Sequence, residues 1–162
     1  MILSRRNALV SVGALTMVTA SGLAWSQLSK RSPSVINTLD SPAGAAIKGY
    51  DPVAYFTVGK PTRGTPAHAV TYSGATWLFA SAENKALFEK DPQKYVPAYG
   101  GYCAYGVSQG YLVKIEPDAW SIRNGRLYLN YDKSVQKQWE QKTNQYIATA
   151  DKNWPSLSQR TN

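Results

Sequence analysis

Residues 68–90, HAVTYSGATWLFASAENKALFEK, carry three signals that together decide the fold. The first two are short runs rich in β-branched and aromatic residues, joined by Ser73-Gly74, a dipeptide suited to a two-residue hairpin turn. The third is a helix that begins after Ser81, a typical N-cap residue, and ends near Asp91-Pro92. The stretch therefore predicts a β-hairpin followed by a helix.

Pairing this hairpin across its turn predicts which side chains share a face of the sheet. Six residues fall on one face, as the pairs Tyr72–Ala75, Val70–Trp77 and His68–Phe79. In the helix that follows, Leu87 and Phe88 are expected to face inward. The sole histidine is thus placed on the same face as two large aromatic rings.

Residues 120–131, WSIRNGRLYLNY, predict a second hairpin, because Asn124-Gly125 tolerates the positive φ angles of a type I′ turn. The expected pairs are Ile122–Leu127, Trp120–Leu129 and, on the solvent side, Arg123–Arg126. A helix capped by Asp132 follows, with an apolar stripe at Val135, Trp139, Tyr146, Ile147, Ala150 and Trp154. The element order predicts an α+β fold, a small antiparallel sheet of hairpins packed against two main helices.

The N-terminal segment 1–24 is typical of an export signal. Arg5 and Arg6 precede an apolar run over 8–20, and no acidic residue occurs before Asp40. The paired arginines indicate the twin-arginine route and a periplasmic destination. Because the run is shorter than the roughly 20 residues that span a bilayer, no permanent membrane span is expected.

The remaining chain divides by composition into three parts. Residues 25–46 are rich in Ser, Pro and Gly and predict a linker, 47–157 predict one domain, and 158–162 a tail. Near the domain's start, Asp51 precedes a proline and is expected to cap one helical turn that runs through Phe56.

Charge and cysteine content narrow the class of partner and the source of stability. The net charge is +8, but the basic residues are dispersed and form no block, so nucleic acid is not an expected partner. Cys103 is the only cysteine, which excludes an internal disulfide. Stability must come from burial, which 11 Tyr, 5 Trp and 3 Phe can supply.

From residue 49 to residue 155 the chain resembles the exported subgroup of YHS domain proteins, which are related to the small metal-handling TRASH modules. The resemblance rests on KGYDPVAYF (48–56), YSGATWLFASAENKALFEKDPQKYVPAYGGYCAYGVSQG (72–110), GRLYLNYDKSVQKQW (125–139) and NWPSL (153–157). It implies a small α+β module, and it implies metal binding in those relatives that carry paired cysteines.

This chain departs from the pattern of the metal-binding relatives at both cysteine positions. Ala54 stands near the first position and Asn84 near the second. A cysteine-rich zinc or iron site is excluded by ligand count, since structural zinc needs four ligands, mostly Cys or His. Any metal site must therefore use other residues.

Cys103 lies in the stretch YGGYCAYGVSQG, 99–110, and two interpretations of it remain open. A lone cysteine is often buried as a small apolar group. Alternatively, Cys103 and the sole imidazole, His68, could together bind a soft ion such as Cu(I), for which two or three S and N ligands suffice. The second interpretation requires the two side chains to meet in space.

The tyrosines of the same stretch provide a different hypothesis. Tyr102 and Tyr105, with Asp51, are candidate contacts for a small molecule, although helix capping also explains Asp51 and ring packing also explains the tyrosines. No third group is evident to orient a Cys–His nucleophile pair, so a binding module is favoured over an enzyme. The main hypothesis is an exported YHS-type module that binds copper through Cys103. The alternative is a small-molecule or protein interaction domain that uses the loop 99–111, whose partner stays unidentified.

Overall fold

The computed structural model describes residues 35–159, which form two β-hairpins and six α-helices. The predicted α+β class is confirmed, although each hairpin forms a separate two-stranded antiparallel sheet. In chain order the elements are α1 (Ala54–Thr57), β1 (Thr65–Tyr72), β2 (Ala75–Phe79), α2 (Ala82–Lys90), α3 (Pro92–Tyr95), α4 (Ala104–Ser108), β3 (Glu116–Arg123), β4 (Arg126–Asn130), α5 (Lys133–Gln141) and α6 (Thr143–Leu157), with 3-10 turns at Pro42–Gly44, Ala46–Gly49 and Ala98–Gly101. The predicted signal segment, the first part of the predicted linker (25–34) and the end of the tail (160–162) lie outside the described residues.

The first hairpin follows the expected register near its turn and departs from it further away. The pairs Tyr72–Ala75 and Val70–Trp77 are confirmed. Phe79, however, pairs with Thr65 and not with His68, because the register shifts between Thr65 and Ala69. Pro66 lies in the shifted segment and has no N–H to donate to a regular ladder, which accounts for the irregularity.

The second hairpin has the register that Asn124-Gly125 predicts. Its pairs are Ile122–Leu127, Trp120–Leu129 and Arg123–Arg126. Asn124 and Gly125 have φ angles of 50° and 74°, as a type I′ turn requires. Both arginines are exposed, so water screens the repulsion between two like charges placed directly opposite each other.

The helix caps predicted at Ser81 and Asp132 are present. The Ser81 hydroxyl accepts a hydrogen bond from the Asn84 N–H at 3.2 Å, and the Asp132 carboxylate accepts one from the Val135 N–H at 2.8 Å. The single helix expected after Asp132 is instead two helices, α5 and α6, which are separated at Lys142. The Thr143 hydroxyl bonds back to the Trp139 carbonyl at 3.3 Å, an interaction that competes with regular helix geometry.

Phe88 is the one buried residue of α2. Phe88 is fully buried, with its ring centroid 5.4 Å from that of Trp77 and 5.0 Å from that of Phe79. The prediction that Leu87 also faces inward is wrong, since Leu87 is 39% exposed. Successive helical residues point about 100° apart, so a helix that rests on a narrow ridge cannot bury both.

Strand β4 lies between two hydrophobic clusters. Leu127 and Leu129 pack in the first cluster, which also holds Trp77, while Tyr128 packs in the second against Trp139 at 5.3 Å. Side chains of a strand alternate between its two faces, so three successive buried residues require both faces to be covered. The strand thereby joins the two halves of the core.

The described part of the predicted linker, 35–46, is packed onto the domain, so the domain begins before Ile47. Ile36 and Asn37 are buried, and the Asn37 N–H donates to the Gly100 carbonyl at 2.9 Å. A Cβ at Gly100 would collide with the Val35 carbonyl oxygen, so only glycine allows this close approach. Composition could not reveal the packing, because the contact joins residues more than 60 positions apart.

A membrane-crossing helix would have to be long and apolar throughout. None of the helices between residues 35 and 159 meets that requirement.

Phe88 and Leu87 provide a matched test of the core. We expect Phe88→Ala to lower the free energy of unfolding by about 3–5 kcal/mol, because it leaves a cavity beside Trp77 and Phe79. Leu87→Ala removes another apolar side chain, but from an exposed position, and should lower the free energy of unfolding by about 1 kcal/mol or less. Urea denaturation of the two variants measures the difference, and equal losses would contradict the described packing.

Candidate functional site

Cys103 lies where the start of α4 meets the end of β4. It precedes α4 as its N-cap residue, and its sulfur accepts hydrogen bonds from the Gly106 N–H at 3.3 Å and the Tyr131 N–H at 3.2 Å. The thiol also lies 3.8 Å from the Asn130 Oδ1, which accepts a bond from the Tyr105 N–H. The sulfur thus links a helix to a strand that lies almost 30 residues further along the chain.

Burial determines the protonation state of this thiol. Cys103 is 1% exposed, and burial raises the pKa of its thiol above the ordinary value. The hydrogen bonds from Gly106 and Tyr131 act in the opposite direction but are the smaller effect. The thiol is therefore neutral near pH 7, and the thiolate that metals and electrophiles prefer is disfavoured.

One wall of a surface cavity of about 370 Å³ is formed by Cys103. The rest of the wall is aromatic and aliphatic, with one amide side chain. The described residues that line it are Cys103, Tyr105, Gly106, Gln109, Tyr111, Val113, Tyr131 and Val135. We call this space the Cys103 cavity.

The tyrosine rings of the Cys103 cavity are held to different degrees. The Tyr105 hydroxyl accepts a hydrogen bond from the Gln138 Nε2 at 2.8 Å, and its ring meets that of Tyr146 edge to face at 5.1 Å. Tyr111 is 66% exposed and Tyr131 is 40% exposed. The cavity therefore combines one fixed ring with two rings that open to solvent.

Gly106 lines the cavity at a point of close packing. A Cβ at this position would lie 2.8 Å from the Val113 Cγ2, closer than side-chain carbons approach one another. The glycine lets α4 pack directly on the segment that carries Tyr111 and Val113. The sequence predicted an irregular glycine-rich loop here and missed the short helix α4.

Asp51 is buried at a different place and is fully hydrogen-bonded. Its Oδ1 accepts from the N–H groups of Val53 at 2.8 Å and Ala54 at 3.2 Å. Its Oδ2 accepts from the Ala80 N–H at 2.8 Å and the Asn84 Nδ2 at 2.7 Å. The capping role is confirmed, and the carboxylate also ties α1 to the end of β2 and to α2. Asp51 is not among the described residues that line the Cys103 cavity.

The other candidate residues lie apart from the cavity. Tyr102 is fully buried in the second cluster. His68 is half-buried on β1. The pKa of the Glu83 carboxyl, on α2, is lowered chiefly by hydrogen bonds from its own backbone and from Ser81. Neither Tyr102 nor His68 is among the described lining residues, so of the small-molecule candidates only Tyr105 lines the Cys103 cavity.

Comparison with known proteins gives one match. Residues 53–99 match the model of the YHS domain. The expected resemblance is thereby confirmed over these residues, which run from the start of α1 to the turn before Cys103. No curated protein and no solved structure matches the chain. The Cys103 cavity is lined by described residues that all lie beyond the matched YHS segment.

The structure shows what occupies the two positions at which metal-binding YHS relatives carry cysteine. Both Ala54 and Asn84 donate hydrogen bonds to Asp51. The Asp51 carboxylate accepts four hydrogen bonds from the protein, and neither Ala54 nor Asn84 offers a sulfur atom. Between residues 35 and 159, moreover, no three His, Cys, Asp or Glu side chains are grouped so that they could hold a metal ion. The residues present do not fit a multi-ligand metal site of the YHS type.

Thiol reactivity tests the environment of Cys103. We expect iodoacetamide to alkylate the native protein about tenfold or more slowly than the urea-unfolded chain, because the sulfur is buried. The rate should also keep rising with pH beyond the range in which an ordinary cysteine levels off, since burial raises the thiol pKa. Mass spectrometry of quenched samples gives both rates.

A cysteine introduced at an exposed position is the matched control for this measurement. Val58 is 54% exposed, so Val58→Cys in a Cys103→Ala background should react like a free thiol. Native Cys103 reacting as fast as Cys at position 58 would mean that the sulfur is accessible.

Proposed function

We propose that this chain is an exported, YHS-type binding module that holds a small organic molecule in the Cys103 cavity. The observation that carries the proposal is the cavity itself. Its volume of about 370 Å³ falls within the range typical of ligand sites, and its wall combines apolar side chains with a few polar groups. This corresponds to the alternative in which the Tyr- and Gly-rich loop makes the contact.

The wall has features of a site that is formed before the ligand arrives. The Cys103 sulfur joins α4 to the end of β4 on one side, and the Gln138 amide fixes Tyr105 on the other. A ligand that enters a preformed site loses less free energy to ordering the protein. Packing alone does not need an open space beside these groups.

Export is the second part of the proposal. It is supported by Arg5 and Arg6, by the apolar run that follows them and by the lack of acidic residues before Asp40. A periplasmic binding module would meet small molecules that enter from outside the cell.

A soft metal ion such as Cu(I), bound by Cys103, is the second candidate function. The observation in its favour is that Cys103 lines the cavity and that its sulfur accepts two backbone N–H bonds, which stabilise a thiolate. The larger effect of burial opposes it. His68 would have to be replaced as the second ligand, since it is not among the described residues of this wall.

A fragment screen tests the small-molecule proposal. We expect some members of a mixed library of uncharged, charged and sugar-like compounds to shift the amide NMR signals of Gly106, Val113 and Val135. The variant Val135→Trp fills the cavity and should abolish the shifts at Gly106 and Val113, while Val58→Trp, at an exposed position, should leave them unchanged. Absence of any such shift in the unmodified protein would overturn the proposal.

Copper is assayed on the same proteins. Cu(I) is titrated against a chelator with the unmodified chain and with Cys103→Ser. Equal competition by both proteins removes the metal candidate. Competition that needs Cys103, in a protein that binds no fragment, favours the metal and contradicts the small-molecule proposal.

Export can be measured separately. We expect a reporter fused after residue 34 to reach the periplasm of a bacterium that has the twin-arginine pathway. Replacing both Arg5 and Arg6 by Lys should retain the reporter in the cytoplasm, because that pathway reads the arginine pair. The matched control replaces Lys30 and Arg31, two other basic residues of the fused segment, by Gln. Export of the Arg5/Arg6 variant at the normal level would contradict the twin-arginine route.

A further inference from the structure

We propose that the ligand of the Cys103 cavity is an uncharged, planar aromatic molecule. The inference rests on the proposed small-molecule function and names the chemical class that the wall accepts. Three observations carry it: the described wall has no charged side chain, it presents tyrosine rings, and its polar groups are few.

Lys114 and Asp132 adjoin the cavity, but neither is among the described residues that line it. Lys114 lies 5.5 Å from the ring centroid of Tyr131, but its Nζ pairs with the Asp40 carboxylate at 3.1 Å. Asp132, the residue after Tyr131, accepts the Val135 N–H at 2.8 Å as the cap of α5. The described lining residues carry no charged side chain of their own. A charged ligand would lose its hydration without gaining an ion pair, so an uncharged one is favoured.

The aromatic part of the wall offers ring faces and edges to a flat molecule. Tyr111 and Tyr131 keep 66% and 40% of their surface exposed beside the cavity. Tyr105 is already oriented by the Gln138 amide and by the edge of Tyr146. Aromatic pairs in stacked or edge-to-face contact gain free energy beyond the area that they bury. A saturated ligand of the same size would gain only the free energy that comes from burying its surface.

The polar groups of the wall are too few for a sugar. Gln109 Nε2 donates to the Ser108 hydroxyl at 3.0 Å, and the Tyr105 hydroxyl accepts from Gln138. A monosaccharide has several hydroxyl groups that each need a partner when they leave water. Beyond these bonds the described wall offers the hydroxyls of Tyr111 and Tyr131 and the Gln109 Oε1, three groups against the several hydroxyls of a monosaccharide. A ring with at most one or two polar substituents matches this supply.

Four probes of similar size separate the ligand classes. They are 2-naphthol, its saturated analogue decahydro-2-naphthol, the anion 2-naphthoate and methyl glucoside. We expect 2-naphthol to bind in the Cys103 cavity and each of the others to bind at least about threefold more weakly, as loss of an aromatic contact predicts. The naphthoate comparison is stringent, because a net charge of +8 attracts anions to the protein as a whole. Affinities are measured by NMR titration of the Gly106 and Val113 amides.

A tyrosine variant separates stacking from burial. Tyr111→Leu keeps apolar bulk but removes the ring. It should therefore lower the affinity for 2-naphthol about threefold to tenfold and leave the affinity for decahydro-2-naphthol unchanged. Tyr50→Leu is the control, since Tyr50 pairs with Arg63 away from the described cavity wall and should affect neither probe.

The outcomes distinguish this inference from the function on which it rests. Binding of decahydro-2-naphthol, 2-naphthoate or methyl glucoside as tightly as 2-naphthol, at the same amides, overturns the aromatic class but keeps the cavity as a binding site. An equal effect of Tyr111→Leu on both naphthols also overturns it. Failure of every probe and every library fragment overturns both proposals.

Discussion

Strand β4 is buried on both faces, and the core and the Cys103 cavity depend on that constraint. Leu127 and Leu129 complete one cluster while Tyr128 completes the other. Both clusters fix the strand, so the residues at its end have little freedom. Asn130 and Tyr131 consequently reach Cys103, one through its amide oxygen and the other through its backbone N–H. The part of the cavity wall at Cys103 is therefore attached to the end of a strand that is fixed on both faces.

Asp51 has a comparable role inside the YHS-matched segment. Metal-binding relatives would place sulfur near positions 54 and 84, and in this chain both positions donate hydrogen bonds to one buried carboxylate. A carboxylate that accepts four N–H bonds can join a helix start, a strand end and a second helix much as a metal ion would. Hydrogen bonds to a charged group are stronger than neutral ones, which suits this role. Hydrogen bonds to Asp51 thus join the YHS-matched segment near the positions at which those relatives carry sulfur.

The sequence predicted those features that depend on neighbouring residues. Asn124-Gly125 defined the second hairpin, and Ser81 and Asp132 defined two helix starts, because each acts within a few positions. The departure of Phe79 from its expected partner and the exposure of Leu87 depend on long-range packing that periodicity does not contain. The cavity was missed for the same reason. Its wall brings together residues 103–113 and 131–135, and only Cys103 and Tyr105 had been singled out among the candidates.

The sequence allows Cys103 to be a metal ligand or a buried apolar group, and its geometry corresponds to neither alone. An apolar filler would make no directed contacts, yet the sulfur accepts two N–H bonds at 3.2 and 3.3 Å from different elements. A metal ligand would need a stable thiolate, yet burial raises the thiol pKa. Sulfur accepts hydrogen bonds at longer distances than oxygen does, so a hydroxyl at this position would draw the two N–H groups closer together or lose one of them. The thiol thus links α4 to the residue that follows β4, beside the Cys103 cavity.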